Sequence, residues 1–256
     1  MPFNKMLILA GKWDTTPLVY NYLAKDHAIS KVIIEEPVPR KTFLKKRAKK
    51  LGWLNVAGQV VFQLLIGKPM QKLSSGRIKE IQNLYGLNNA AIPAAKMQEV
   101  DSINNEQVII VLKQLQPDIV IVHGTRIISQ KVLNSTSAIF LNIHAGVTPK
   151  YRGSHGGYWA IANNDKENCG VTVHVVDKGI DTGGILGQRL IPVTNKDNFA
   201  TYPYLQLGEG LLLLNEILTQ LERGERKEIK NNLASGLWHH PTLWGYVWKR
   251  LLKGVK

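Results

Sequence analysis

An amide, an imidazole and a carboxylate mark the part of this sequence equipped for chemistry. Asn142 and His144 stand two residues apart in Leu141-Asn-Ile-His-Ala-Gly-Val-Thr-Pro-Lys-Tyr-Arg-Gly153, behind an apolar run, Ala138 to Leu141, that reads as the end of a buried strand. On an extended backbone, side chains two apart leave the same face. Gly146 and Pro149 then break the strand into a loop, at the carboxyl end where open α/β sheets keep their sites. Asp181 lies in a second polar stretch, Val176-Asp-Lys-Gly-Ile-Asp-Thr-Gly-Gly184, which follows another strand-like run from Gly170 to Val176. Together the three groups are suited to polarise a carbonyl, hold its oxyanion and move a proton.

Two longer patterns frame these residues. Asn-x-His-x-Gly-x-x-Pro-x-x-Arg-Gly covers 142–153, and Gly-Val-Thr-Val-His-x-Val-Asp-x-Gly-Ile-Asp-Thr-Gly covers 170–183. In that order they resemble the folate-dependent formyltransferases, a family that includes glycinamide ribonucleotide, methionyl-tRNA and sugar N-formyltransferases. The resemblance implies an α/β fold with a Rossmann-like, mostly parallel sheet flanked by helices. It also implies transfer of a formyl group from 10-formyltetrahydrofolate to a primary amine, with Asn142, His144 and Asp181 as the catalytic trio. The loop His123-Gly-Thr-Arg-Ile-Ile128 matches the family segment that receives the pterin. Gly124, Thr125, Arg126, Ile127 and Ile128, with Val176, Asp177, Gly179 and Ile180, are therefore assigned to the folate donor. His174, Arg152, Gly11 and Lys12 are assigned to the amine substrate; His155 stands between a substrate contact and an ordinary loop histidine.

The acceptor is expected to be small and anionic, an amino-sugar nucleotide or a related amine. Alternatives are glycinamide ribonucleotide, or water as in formyltetrahydrofolate hydrolases; a folate-binding protein without turnover is opposed by the intact trio. Gly11-Lys12-Trp13-Asp14 puts bulky groups where the purine-pathway enzymes have a Gly-Ser-Asn type phosphate cradle, which counts against that substrate. No histidine has the acidic or cysteine partners of a zinc motif, so no metal is expected.

With 256 residues and 44% hydrophobic content, the chain can bury one full core and an appendage. The expected division is a catalytic domain over 1–222 and a basic amphipathic extension over 223–256. One cysteine, Cys169, and no cleavable leader suit a reducing cytoplasm. The formal charge of +14 is uneven. Residues 1–80 carry 15 Lys+Arg against 5 Asp+Glu, residues 81–222 carry 10 against 12, and residues 223–256 carry 8 against 2. Basic ends suit an anionic partner or a merely solvated surface.

The elements that must position the trio follow from hydrophobic pattern. Strands are expected over Met6–Ala10, Lys31–Ile34, Ala94–Val100, Asp118–Val122, Gly170–Val176 and Ile185–Val193. Helices are expected from Thr15 or Thr16 to Ala24, from Ser74 or Ser75 to Tyr85, over Glu106–Leu115 and Tyr158–Asn163, and unevenly from Asp197 or Asn198 to Glu222. A basic start over 40–50 leads into an apolar run, 51–67, whose Asn55, Gln59 and Gln63 share one stripe. It reads as a buried or lid-forming helix rather than a membrane span, with a surface-associated helix left open.

In the tail, Trp244, Val247, Trp248, Leu251, Leu252 and Val255 fall on one helical arc and Lys249, Arg250, Lys253 and Lys256 on the other. Docking on its own domain or pairing with a second subunit is the expectation for 243–256, with an anionic membrane surface as the alternative. Residues 223–256 are too few for the tRNA-binding barrel of methionyl-tRNA formyltransferases, and nucleic acid is not an expected partner.

Overall fold

A computed structural model describes residue 3 and residues 5–256. In chain order the elements are β1 (Met6–Gly11), α1 (Thr16–Leu23), β2 (Ile29–Glu35), α2 (Arg40–Leu51), α3 (Trp53–Phe62), a π-helical turn (Gln63–Gly67), α4 (Lys68–Leu73) and α5 (Ser75–Leu84). β3 (Met97–Val100), α6 (Glu106–Leu115), β4 (Ile119–His123), α7 (Gln130–Leu133), β5 (Ile139–His144), β6 (Arg152–Gly153) and α8 (Gly156–Ala162) follow. The chain then forms β7 (Gly170–Val175), β8 (Ile185–Leu190), α9 (Tyr202–Glu222), β9 (Leu237–Trp238) and α10 (Leu243–Lys253).

β1 is apolar and buried along its whole length, as a strand covered on both faces must be. Met6, Ile8 and Ala10 face α1 and α9, where Leu207, Leu211, Leu214 and Ile217 close the layer. Leu7 and Leu9 face the other way, against Val108, Ile109 and Leu112 of α6. Each such side chain taken out of water contributes about 1.5–3 kcal/mol. The Asn105 side chain accepts from Val108 N and caps α6, fixing where that layer begins.

The seven strands run in the order β3-β2-β1-β4-β5-β7-β8. The first five are mutually parallel; β7 lies antiparallel to β5, and β8 antiparallel to β7. Chain progress reverses between β1 and β4, and such a switch point leaves a crevice at the carboxyl ends of the strands. Gly11, His123 and Asn142 to His144 all end strands there.

Local chemistry moved several expected boundaries. Ala94–Lys96 is a 3₁₀ turn and only Met97–Val100 pairs with β2. Ser74 does not cap α5 with its side chain; its hydroxyl accepts from Asn198 instead. Pro69 has no N–H to donate to the preceding turn, and the helix widens into the π turn just before it.

The C-terminal segment is woven into the fold. β9 pairs in parallel with β6, and Trp238 Nε1 donates to Lys150 O at 2.9 Å. Val255 is buried, and Phe199 N donates to Lys256 O. Phe62 of α3 meets Phe199 and Tyr246 of α10 edge-on, each with ring centroids 5.0 Å apart, so an aromatic cluster joins α3, α10 and the sheet domain.

Candidate active site

The carboxyl end of β5 and the loop after β7 bring the predicted trio together. Asn142 pairs in register with His174 across the antiparallel β5–β7 ladder, and Asn142 Nδ2 lies 3.1 Å from His174 Nε2. His144 Nδ1 lies 3.2 Å from Asp181 Oδ1, and His174 Nε2 lies 3.6 Å from the same oxygen. The other carboxylate oxygen accepts from the backbone N–H of Gly153 at 2.9 Å. Asp181 holds a left-handed backbone, φ 51°, which brings its side chain back over the strand ends.

Proton positions follow from the partners. His174 Nδ1 faces its neighbour's carbonyl, Val175 O, at 2.8 Å and must carry a hydrogen; Nε2 then accepts from the Asn142 amide. Both nitrogens of His144 face acceptors, Asp181 Oδ1 and Tyr151 O at 2.7 Å, an arrangement satisfied in full only by the imidazolium. Burial alone would raise the Asp181 carboxyl, but the His144 hydrogen bond, the neighbouring His174 ring and the Gly153 amide outweigh it and hold it well below the carboxylate range. The site is therefore a buried carboxylate between two imidazoles, with one amide beside it.

One cavity opens on this cluster and a second adjoins the first. The first, about 380 Å³, is lined by Asn142, His144, His174 and Asp181, by the loop Gly124–Ile128 and by Val176, Asp177, Gly179 and Ile180. All nine residues assigned to the donor thus line this cavity, and Arg126 has a further part. Its guanidinium binds Glu35 at 3.1 Å and Glu36 O at 2.6 Å, so it anchors the loop as well as lining the cavity.

The second cavity, about 780 Å³, lies on the other side of Gly124 and Ser154, which line both. Its walls include Phe43, Leu44, Val56, Val60 and Leu64, with Arg40, Arg47 and Lys68 as its charged members and no carboxylate. Arg47 Nε, Gln59 Oε1 and Gln63 Oε1 are buried and lack a hydrogen-bond partner. His123, His155 and His240 also line this cavity. Burial lowers His123 to about 4 and His155 to about 3, the latter helped by His240 and Arg47, so both are neutral near pH 7.

Among the residues assigned to the amine, His174 joins the catalytic cluster. Gly11 and Lys12 line neither cavity. Lys12 is an exposed cation paired with Glu36 at 2.6 Å and Glu99 at 3.2 Å, and the Trp13 indole covers Gly11 while donating to Gly124 O at 2.7 Å. Arg152 donates to Ile180 O at 3.1 Å and so braces the loop that carries Asp181. His155 is enclosed by Phe199 and His240, with ring centroids 4.4 and 4.6 Å away, and lines the second cavity. Among the described residues, no group of three or more His, Cys, Asp or Glu is arranged to hold a metal ion.

Sequence reasoning passed over Leu237, Trp238 and His239, which wall the first cavity from beyond residue 222. They reach it because β9 pairs with β6 beside Gly153, which has φ 92°; a Cβ there would lie 2.3 Å from Trp238 O. The polar stripe of Gln59 and Gln63 was the one available signal for the second cavity.

The Formyl transferase family profile matches residues 64–204, more than half of the chain. This protein belongs to the formyl transferase family. It is 31% identical over 156 residues to a methionyl-tRNA formyltransferase of Caldanaerobacter subterraneus, covering 60% of this chain and 48% of that one. A methionyl-tRNA formyltransferase of Kosmotoga olearia is 33% identical over 158 residues, 61% of this chain and 48% of the relative. The chain thus spans about half the length of the curated relatives it matches.

Among solved structures, phosphoribosylglycinamide formyltransferase from Streptococcus pneumoniae superposes with a TM-score of 0.54 at 19% identity, covering 86% of this chain and 99% of that one. An N-formyltransferase from Helicobacter canadensis, in complex with folinic acid and dTDP-3-aminofucose, gives 0.54 at 20%, covering 91% and 70%. At these identities the likeness concerns the fold. Asn142, His144 and Asp181 line the first of the two cavities.

Proposed function

We infer that this member of the family transfers a formyl group from 10-formyltetrahydrofolate to the primary amine of an anionic acceptor with a substantial apolar part. Support comes from the cavity lined by Asn142, His144, His174 and Asp181, which adjoins a second, separate cavity across Gly124 and Ser154 as common wall. A transferase needs two such compartments; a hydrolase needs only one and a water. The donor belongs in the cavity of loop 124–128 and supplies an activated formyl carbon. The acceptor belongs in the larger one, where Arg40, Arg47 and Lys68 face no acid.

The residues divide the work. Asn142 Nδ2 holds His174 with one of its two hydrogens and has the other for the formyl oxygen as negative charge develops on it, while both ring nitrogens of His144 are engaged with Asp181 and Tyr151. One such donor is worth about 2.7–4 kcal/mol of barrier, roughly 100- to 1000-fold in rate. In its doubly protonated form His144, held by the buried Asp181, adds electrostatic stabilisation. Asp181, ionised throughout the neutral range, relays the proton that the attacking amine loses, directly or through His174, to the departing tetrahydrofolate nitrogen as the formyl C–N bond breaks.

An amino-sugar nucleotide fits the charge of the second cavity; the apolar walls of α2 and α3 favour a more hydrophobic amine of the same charge class. Incubation with 10-formyltetrahydrofolate and a panel of amines, with tetrahydrofolate release as readout, tests the reading. Amine-dependent release is expected. Release that is indifferent to amine would replace transfer by hydrolysis, and no release with any amine would leave a folate-binding protein.

A further inference from the structure

The C-terminal helix sits on the protein the opposite way round from an ordinary amphipathic helix. Tyr246 is its buried anchor, and Lys249 and Lys253 turn inward to donate to Ala162 O at 3.3 and 3.1 Å. Trp244, Val247, Trp248, Leu251 and Leu252 face solvent, with Leu251 77% exposed. The segment 243–256 does dock on its own domain, through Tyr246, Val255 and the two lysines, but the rest of its apolar arc is on the outer side. Spacing of three and four residues makes it one continuous stripe.

The neighbouring helix extends the surface. α3 packs through Val56, Gln59 and Phe62, while Trp53, Leu54, Val61, Leu64 and Leu65 remain exposed. The two stripes join where the Trp244 indole lies on Gly58; a Cβ at position 58 would come within 2.3 Å of that ring. The resulting face holds ten large apolar side chains, three of them tryptophans, well beyond the scattered exposure usual for a monomer. The charge carried by the adjoining segments is of one sign. α2 leads through Gly52 into α3 and carries Arg40, Lys41, Lys45, Lys46, Lys49 and Lys50, and no acid occurs from Pro37 to Lys79 or after Glu228.

We propose that this α3–α10 face docks on the surface of an anionic lipid bilayer. Tryptophan and leucine in a plane, rimmed by lysine and arginine, match an interface whose depth is apolar and whose surface is negative. A second copy of the chain matches it less well, because a two-fold contact sets the same patch against itself and would bring the basic rims together. Nucleic acid would use the rim and leave the apolar plane in water. Among the described residues no helix is long and apolar enough to cross a membrane, and the docking proposed is by the α3–α10 face alone.

The docking has a consequence for chemistry. Val60, Gln63 and Leu64 line the second cavity from the helix and turn whose other side forms the docking face. The cavity mouth is then held at the lipid surface, and the acceptor is an amine on the headgroup of a lipid-anchored anion. This last step rests on the reading of formyl transfer; docking itself does not.

Flotation of the 256-residue protein with vesicles of phosphatidylcholine and phosphatidylglycerol, against phosphatidylcholine alone, tests the docking. Binding is expected only to the anionic vesicles, weakened by salt, with a blue shift of tryptophan emission. Trp248→Glu with Leu251→Glu, both outside the two cavities, should lower partition by at least about tenfold while circular dichroism and folate binding stay unchanged. Lys45→Glu with Lys49→Glu should lower it without altering the apolar face.

Failure to float with anionic vesicles at low salt overturns the proposal, as does unchanged flotation of the Trp248–Leu251 variant. Sedimentation showing a dimer that this variant dissolves would assign the face to a second copy instead. Vesicle binding without formyl transfer to any amine, lipid-borne or soluble, would leave the docking standing and remove only the enzymatic reading.

Discussion

Asn142 and His174 face each other across the antiparallel β5–β7 pair, with the amide nitrogen 3.1 Å from the imidazole Nε2. This contact makes the amide a positioned group. His174 is itself fixed by Val175 O, so the orientation of Asn142 is set by a chain of two hydrogen bonds that ends on backbone. Asn142→Ala should lower kcat by about 100- to 1000-fold with little change in Tm. His174→Ala should cost roughly tenfold, near the worth of one positioning hydrogen bond. The double variant should resemble Asn142→Ala alone, since His174 acts partly through the amide. Steady-state kinetics with a melting curve for each variant check this; additive losses would mean the two act separately.

Asp181 gives a pH dependence whose sign is determined by its depressed folded pKa. Its ordinary value is 3.8 and the two imidazoles with the Gly153 amide hold it lower in the fold. The stability it contributes is complete above the unfolded value and is lost as pH falls through the folded one. Urea unfolding of wild type and Asp181→Asn should therefore differ by a constant amount from neutrality down to about pH 4, and by less below it. The plateau rate of Asp181→Asn should fall roughly 100- to 10,000-fold.

His123 works in the opposite pH range. Its Nε2 is hydrogen-bonded to Thr15 Oγ1 at 2.8 Å, and burial lowers it from 6.5 to about 4. The unfolded chain takes up a proton below 6.5 that the folded chain refuses, so stability falls with pH across the window from 6.5 to 4. The full loss is on the order of 3 kcal/mol for this one group. His123→Gln should flatten the dependence of the urea midpoint on pH in that window.

Trp238 tests whether the C-terminal segment belongs to the site. It lines the donor cavity, donates to Lys150 O and stacks near Tyr151 with centroids 5.8 Å apart. Trp238→Ala should destabilise the protein by about 3 kcal/mol and raise the apparent KM for the folate donor more than it lowers kcat. Trp238→Phe keeps the ring and loses the N–H, and should restore most of the donor affinity. Equal donor KM in all three proteins would remove Trp238 from the site.

The core of the fold was legible because buried parallel strands are written as unbroken apolar runs: Met6–Gly11 and Ile119–His123 need no partner to be recognised. Asn142, His144 and Asp181 were legible because they lie beside such runs in two long patterns. Trp238 was not, since its place depends on a two-residue strand finding β6 some 85 positions earlier, a relation no local pattern records. The tail shows a different limit. Its period of three and four identified an amphipathic helix, yet which side meets the protein depended on Tyr246 filling the aromatic cluster around Phe62 and on Ala162 O receiving two lysines. His155 likewise carries no mark in the sequence of the left-handed backbone that folds its ring under Phe199.

Lys12 and Arg47 separate two accounts of how the acceptor's charge is met. Lys12 lies in the loop where a nucleotide-type fold would bind phosphate, but it is spent on Glu36 and Glu99 and the Trp13 ring occupies the approach to Gly11. Arg47 lines the acceptor cavity with Nε buried and unpartnered, and burial lowers its pKa, as for a cation short of a counter-charge. Lys12→Ala should therefore leave acceptor KM and kcat near wild type. Arg47→Ala should raise acceptor KM by about 10- to 100-fold, the worth of a charge-assisted hydrogen bond of roughly 1.5–3 kcal/mol. It should also stabilise the acceptor-free protein slightly, because a buried charge without a partner is removed. Arg47→Lys keeps the charge and loses the planar fork, and an intermediate KM would indicate that the arginine grips an anionic oxygen pair rather than supplying field alone. A rise in acceptor KM for Lys12→Ala with none for Arg47→Ala would move the acceptor's anion back to the β1 loop.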